Sequence, residues 1–128
     1  MRIVWLSLCG ECENVDDRRR VVERLVEIFY DLVLEDRELS PIFKRYIDDF
    51  EAHKVGFSDF WERALYRSND YDRNPFRVHQ AIEMNANHID RWLELFERAT
   101  QQTLDGHEQI LANQVARQMA DSFKAILH

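Results

Sequence analysis

Two histidines, His53 and His79, stand in a stretch crowded with large aromatic rings. Imidazole is the side chain best suited to chemistry or metal ligation near neutral pH. The stretch runs from Phe50 to His79 and reads FEAHKVGFSDFWERALYRSNDYDRNPFRVH. Its last histidine follows Asn74-Pro75, a helix-start signal, and Phe76, His79 and Ile82 then recur every three residues on one side. One imidazole on a short helix, facing an apolar space lined by rings, is the least that an iron porphyrin needs. Taken singly, each histidine also has an ordinary reading as a satisfied core residue. The neighbours must decide.

Two further polar groups fall on apolar faces. Tyr30 lies four residues after Val26 and three before Val33, so its ring can be buried while its hydroxyl needs a partner. Trp92 poses the same question for an indole N–H. Cys9 and Cys12 form a lone Cys-x-x-Cys. No histidine follows it, which excludes covalent haem attachment, and no second pair closes a zinc site. A thioredoxin-type role needs a strand before the motif, which Ile3 to Leu8 can just provide. The ordinary reading is two reduced thiols on an N-terminal extension.

The elements that must position these groups are helices. With three glycines and two prolines in 128 residues, the chain has too few breakers for a turn-rich β architecture. A first helix is expected over about 16–35, capped by Asn14, with Val22, Leu25, Val26, Phe29, Leu32 and Val33 on its buried face. Ser40-Pro41 opens a short helical turn carrying Ile42 and Phe43. A helix over about 48–66 places Phe50, His53, Phe57, Phe60, Trp61 and Ala64 on one stripe. Asn87, with Asp90 three residues on, is expected to cap the next helix, whose inner face is Ile89, Trp92, Leu93, Phe96 and Ala99. After an Asp105-Gly106 turn, Leu111, Val115, Met119, Phe123 and Ile126 build a last helix. His88, His107 and His128 fall at helix ends or the terminus and are expected to face solvent.

Bulk properties agree. The length suits one domain, read as an N-terminal extension over 1–15 and an all-α domain over 16–128. Composition is ordinary for a globular protein, with 45% hydrophobic and 32% charged residues and a mean hydropathy of -0.51. A net charge of -7 argues against nucleic acid or an anionic membrane as partner. The one basic cluster, Arg18-Arg19-Arg20, follows Asp16 and Asp17 and reads as a solvated first turn. The N-terminal apolar run is too short to span a bilayer, and although 6–9 faintly resembles a lipoprotein cleavage box, the expected location is cytoplasmic. More aromatic surface is available for the interior than a simple bundle seam needs, and a flat conjugated cofactor accounts for it.

Five patches, IFYDLV, LSPIF, EAHKVGFSDFW, YDRNPFRVH and IDRWLELF, occur in that order, and over roughly 20–127 the chain resembles the truncated haemoglobins of group III. Two features depart from that pattern: Arg73 stands where a glycine is usual, and the segment after His79 lacks the usual prolines. The resemblance implies a truncated globin-like fold, with crossed helix pairs around one haem b. His79 would be the proximal iron ligand. Phe43, Phe57, Phe60, Trp61, Phe76 and Phe96 would line the cofactor pocket. Tyr30 and Trp92 would contact the distal ligand, and His53 would stand at the distal gate. The function so implied is reversible binding of dioxygen or another diatomic ligand, nitric oxide or carbon monoxide, at the iron. The alternative is an enzyme on the same site, a nitric oxide dioxygenase or peroxidase-like catalyst, with a reductase as a further candidate partner. A polar distal pocket serves both, so the residues do not separate carrier from catalyst. A haem-free helical module whose rings are plain core, and a thiol redox role for Cys9 and Cys12, are the readings outside this class.

Overall fold

A computed structural model describes residues 15–66 and 84–125. Among these the chain forms five helices and no strand: α1 (Val15–Glu35), α2 (Leu39–Tyr46), α3 (Phe50–Tyr66), α4 (Ala86–Thr103) and α5 (Gly106–Ala125). The expected short helix with Phe76 and His79 lies outside the described residues, as do Asn14, the Cys-x-x-Cys motif and His128.

Helix α1 is the spine. Its 3.6-residue periodicity brings Val22, Leu25, Val26, Phe29, Tyr30 and Val33 to one face, each at most 1% exposed. That face packs chiefly on α4 and α3, and α4 packs in turn on α5. Phe29 is the centre of the core. Its ring lies 5.6 Å from Tyr30, 5.8 Å from Phe57, 5.9 Å from Trp92 and 5.6 Å from Phe96. Edge contacts of this kind add stability beyond the area buried.

The basic cluster departs from expectation. Arg19 donates to Glu23 on its own helix and to Asp59 and Glu62 on α3, at 2.9, 2.7 and 3.0 Å. Arg18 lies over the Tyr66 ring at 5.3 Å. Only Arg20 behaves as a solvated residue, paired locally with Asp17. The cluster is where the start of α1 is fastened to the end of α3. At the other end of this helix pair, Lys54 on α3 reaches Glu27 on α1 at 3.0 Å.

Helix starts differ from the sequence expectation in two places. Asn85, not Asn87, caps α4: its side chain accepts from the His88 N–H at 2.9 Å, and His88 Nδ1 accepts from the Asn85 N–H at 3.1 Å. This reciprocal capping box employs His88, expected to be merely solvent-facing. Helix α2 begins at Leu39, ahead of Ser40-Pro41. Its first N–H groups are satisfied by Asp36, whose Oδ2 accepts from Glu38 N and Leu39 N at 3.1 and 3.0 Å. Asp49 caps α3 through a bond to Ala52 N at 3.1 Å.

Helix α5 keeps Met119 from the expected inner face but is otherwise turned, and Ile126 lies outside the described residues. Ala112, Ala116, Met119 and Ala120 are its buried residues, while Leu111, Val115 and Phe123 are half-buried flanks. Alanines at i, i+4 and i+8 make a small ridge that leaves room for the neighbouring helix to approach. Thr100 of α4 and Asn113 of α5 join that interface with a 2.8 Å hydrogen bond. On α4, Leu95 is buried where Leu93 was expected and Leu93 is half-buried, so the inner face is rotated slightly. The turn between α4 and α5 falls at Gly106, whose φ of +55° favours glycine.

Candidate ligand pocket

Tyr30 enters the site from α1 as a nearly fully buried phenol. Its hydroxyl is hydrogen-bonded to Nδ1 of His53, which α3 presents from the opposite side. The tyrosine hydroxyl thus finds its partner in a side chain, and the histidine is half-buried rather than an ordinary core residue. Burial disfavours the phenolate and raises the Tyr30 pKa well above the usual range for tyrosine. Around neutral pH this group is therefore an O–H.

Around that pair stands a wall of rings. Phe43 from α2 lies 6.0 Å from Tyr30, Phe50 lies 6.3 Å from it and Phe57 6.0 Å. The wall continues along α3 through Phe57–Trp61 at 6.1 Å and Phe60–Trp61 at 5.1 Å. Trp61 stacks on Phe96 at 4.7 Å, and Phe96 on Trp92 at 5.8 Å. Of the expected site residues, Tyr30, Phe43, His53, Phe57, Phe60, Trp61, Trp92 and Phe96 thus form one connected group. Trp61 and Phe96 are fully enclosed in it. Phe76 and His79 lie outside the described residues.

Burial along α3 is graded. Trp61 and Ala64 sit in the core, whereas Phe50, His53, Phe57 and Phe60 are half-buried, as is Phe43 on α2. Four phenylalanines and an imidazole thus keep part of their surface uncovered, which is costly for apolar surface. Within the wall, the Trp61 indole N–H is buried and finds no acceptor among the described residues. Such an orphaned donor costs about 1–3 kcal/mol. A flat, largely apolar group laid against these rings would cover that surface, and the Tyr30 hydroxyl and His53 would be the polar groups facing it. The residues present fit a haem.

Two participants were not identified from sequence. Asp36, at the end of α1, and Arg91, beside Trp92 on α4, are joined by a 2.6 Å charge-assisted hydrogen bond. The only hint was an acid just ahead of a helix, since 55 residues separate the partners.

Known proteins resemble this chain along most of its length. The family model for bacterial-like globins matches residues 13–126. The chain is 28% identical over 112 residues to the group 3 truncated hemoglobin ctb of Campylobacter jejuni, covering 84% of this chain and 88% of that protein. The crystal structure of the group III truncated hemoglobin from Campylobacter jejuni superposes with a TM-score of 0.77 at 27% identity, covering 86% of this chain and 91% of the other. Helices in this order, closed on a ring-lined wall and matched from end to end by that model, place the chain in the bacterial-like globin family, with the fold of a truncated haemoglobin.

Proposed function

We propose that this globin reversibly binds a diatomic ligand, dioxygen foremost, on a haem b held by His79. Nitric oxide and carbon monoxide are further ligands of the same site. The family supplies the haem; the single observation that supports the ligand assignment is the Tyr30–His53 pair within the ring-lined wall. Haem, when bound, supplies an iron with a coordination position open to a small ligand.

The chain's own residues do the rest. Phe43, Phe57 and Phe60 exclude water, which makes any hydrogen bond in the pocket stronger than it would be in solvent. Tyr30 keeps its proton because burial suppresses ionisation. When the neutral His53 ring carries its proton on Nδ1, it donates to the Tyr30 oxygen and leaves the phenol proton to point at a ligand. When the proton is on Nε2, Tyr30 donates to His53 instead. The imidazole tautomer therefore selects whether Tyr30 serves the ligand or the gate. Trp92, next to Phe29 and Phe96, supplies a second donor from α4. No helix among the described residues is long and apolar enough to cross a membrane, and the proposed setting is the cytoplasm.

The experiment is haemin titration followed by ligand-release kinetics. Wild type is expected to give a sharp, saturable Soret band that His79→Ala weakens. Tyr30→Phe should keep the band and release dioxygen about tenfold faster, the equivalent of one lost hydrogen bond. Absence of a saturable band in wild type would overturn the reading.

A further inference from the structure

Asp36 joins three helices at one corner. It ends α1, where its N–H donates to the Val33 carbonyl at 3.0 Å. It starts α2, with its carbonyl accepting from Ser40 N at 3.0 Å and its Oδ2 accepting from Glu38 N and Leu39 N. Its remaining oxygen, Oδ1, accepts from Arg91 Nε on α4. The Asp36 side chain is only 4% exposed and that of Arg91 34%, so the bond is shielded on the carboxylate side. Arg91 is tied from its other end to Glu94, which Arg98 also holds. Each helix meeting here carries part of the wall: Tyr30 on α1, Phe43 on α2, and Trp92 with Phe96 on α4.

We infer that Asp36, through Arg91, is the positioning residue of the ligand pocket, holding Phe43 and Trp92 in register with Tyr30. This rests on the ligand-pocket reading above. Helix α2 has eight residues and meets α4 less extensively than it meets α1. The bond from Asp36 to Arg91 is a polar link, shielded on one side, between this corner and α4. Residue 91 precedes Trp92 directly, so a shift of the arginine backbone is passed to the indole. Burying a carboxylate is unfavourable unless every lone pair is used, and here both oxygens are. A plain cap needs no arginine; a device that sets one helix against another does.

The test uses the full chain labelled with 5-fluorotryptophan, with Asp36→Asn, Arg91→Gln, their double variant, and Thr100→Val as a control. Asparagine keeps a capping oxygen for α2 but gives up the charge, so Asp36→Asn separates pairing from capping. Thr100→Val removes the hydrogen bond to Asn113 between α4 and α5, away from Asp36. Three signals are followed: the fluorine resonance that Trp92→Phe deletes, the carbon monoxide stretching band of the haem-loaded protein, and the ligand dissociation rate. In both single variants the resonance and the band are expected to move by more than their widths, and dissociation to quicken about three- to tenfold. The double variant should match the singles, since they break the same bond. Thr100→Val should lower the melting temperature and leave all three signals in place. Signals at wild-type values in both single variants, or additive effects in the double, overturn the proposal. If wild type takes up no haem, the function reading fails, while the fluorine resonance of the apoprotein still decides the role of Asp36.

Discussion

Tyr30 is a phenol that burial makes hold its proton more tightly than an exposed one does. Its ordinary pKa is 10.0, and burial lifts it beyond that. Above the ordinary phenol range, unfolded chains release this proton while folded ones retain it. Stability must then fall as pH rises, because the unfolded state binds fewer protons. In Tyr30→Phe that part of the alkaline slope is expected to vanish, as read by thermal unfolding between neutral and strongly alkaline pH. The tyrosinate absorbance step that coincides with alkaline unfolding should vanish with it. Phe29 makes the complementary case in the core, touching four rings and nearly excluded from solvent. Phe29→Ala should cost about 3–5 kcal/mol in a denaturant titration.

At the scale of helices, ends and ridges carry the information. Asp36 has burial pulling its pKa up, but the bond from Arg91 and those from the Leu39 and Glu38 N–H groups outweigh it and hold the carboxyl below its ordinary value. The stabilisation is complete above the usual carboxylate range and is lost as pH falls through the depressed pKa. Asp36→Asn is therefore expected to flatten the acid limb of a melting-temperature profile. On α5 the ridge of Ala112, Ala116 and Ala120 leaves no room for bulk. Ala116→Leu should cost about 1–3 kcal/mol through overpacking, read as a lowered denaturant midpoint. These are also the places where sequence was least informative. Helical faces built of Val, Leu and Phe announce themselves by period, so most of the α1 face was legible, although Leu32 is half-buried and Tyr30 sits in the core rather than on the flank. Alanines contribute little to such a pattern, and the α5 ridge stayed hidden behind its larger flanks. Caps depend on which of several polar residues adopts an extended backbone, and with Asn85 and Asn87 both at hand the pattern alone selected the wrong one.

For the molecule as a whole, order along the chain said more than any single motif. The five patches placed Tyr30, His53 and Trp92 on one side of the fold, and the structure gathers them with Phe43, Phe57, Trp61 and Phe96. Their pairing was not legible, because a hydrogen bond across 23 residues depends on how two helices meet. The same limit applies to Arg19, which looked like a solvated residue and instead bridges α1 to α3. The uneven covering of α3 has a consequence for how the protein breathes. Amides near Trp61 should exchange with deuterium only when everything opens, while those between Phe50 and Phe57 should exchange earlier, through local fraying. Adding haemin should slow the early set and leave the late set nearly alone, so one helix would report both the integrity of the fold and the arrival of its cofactor.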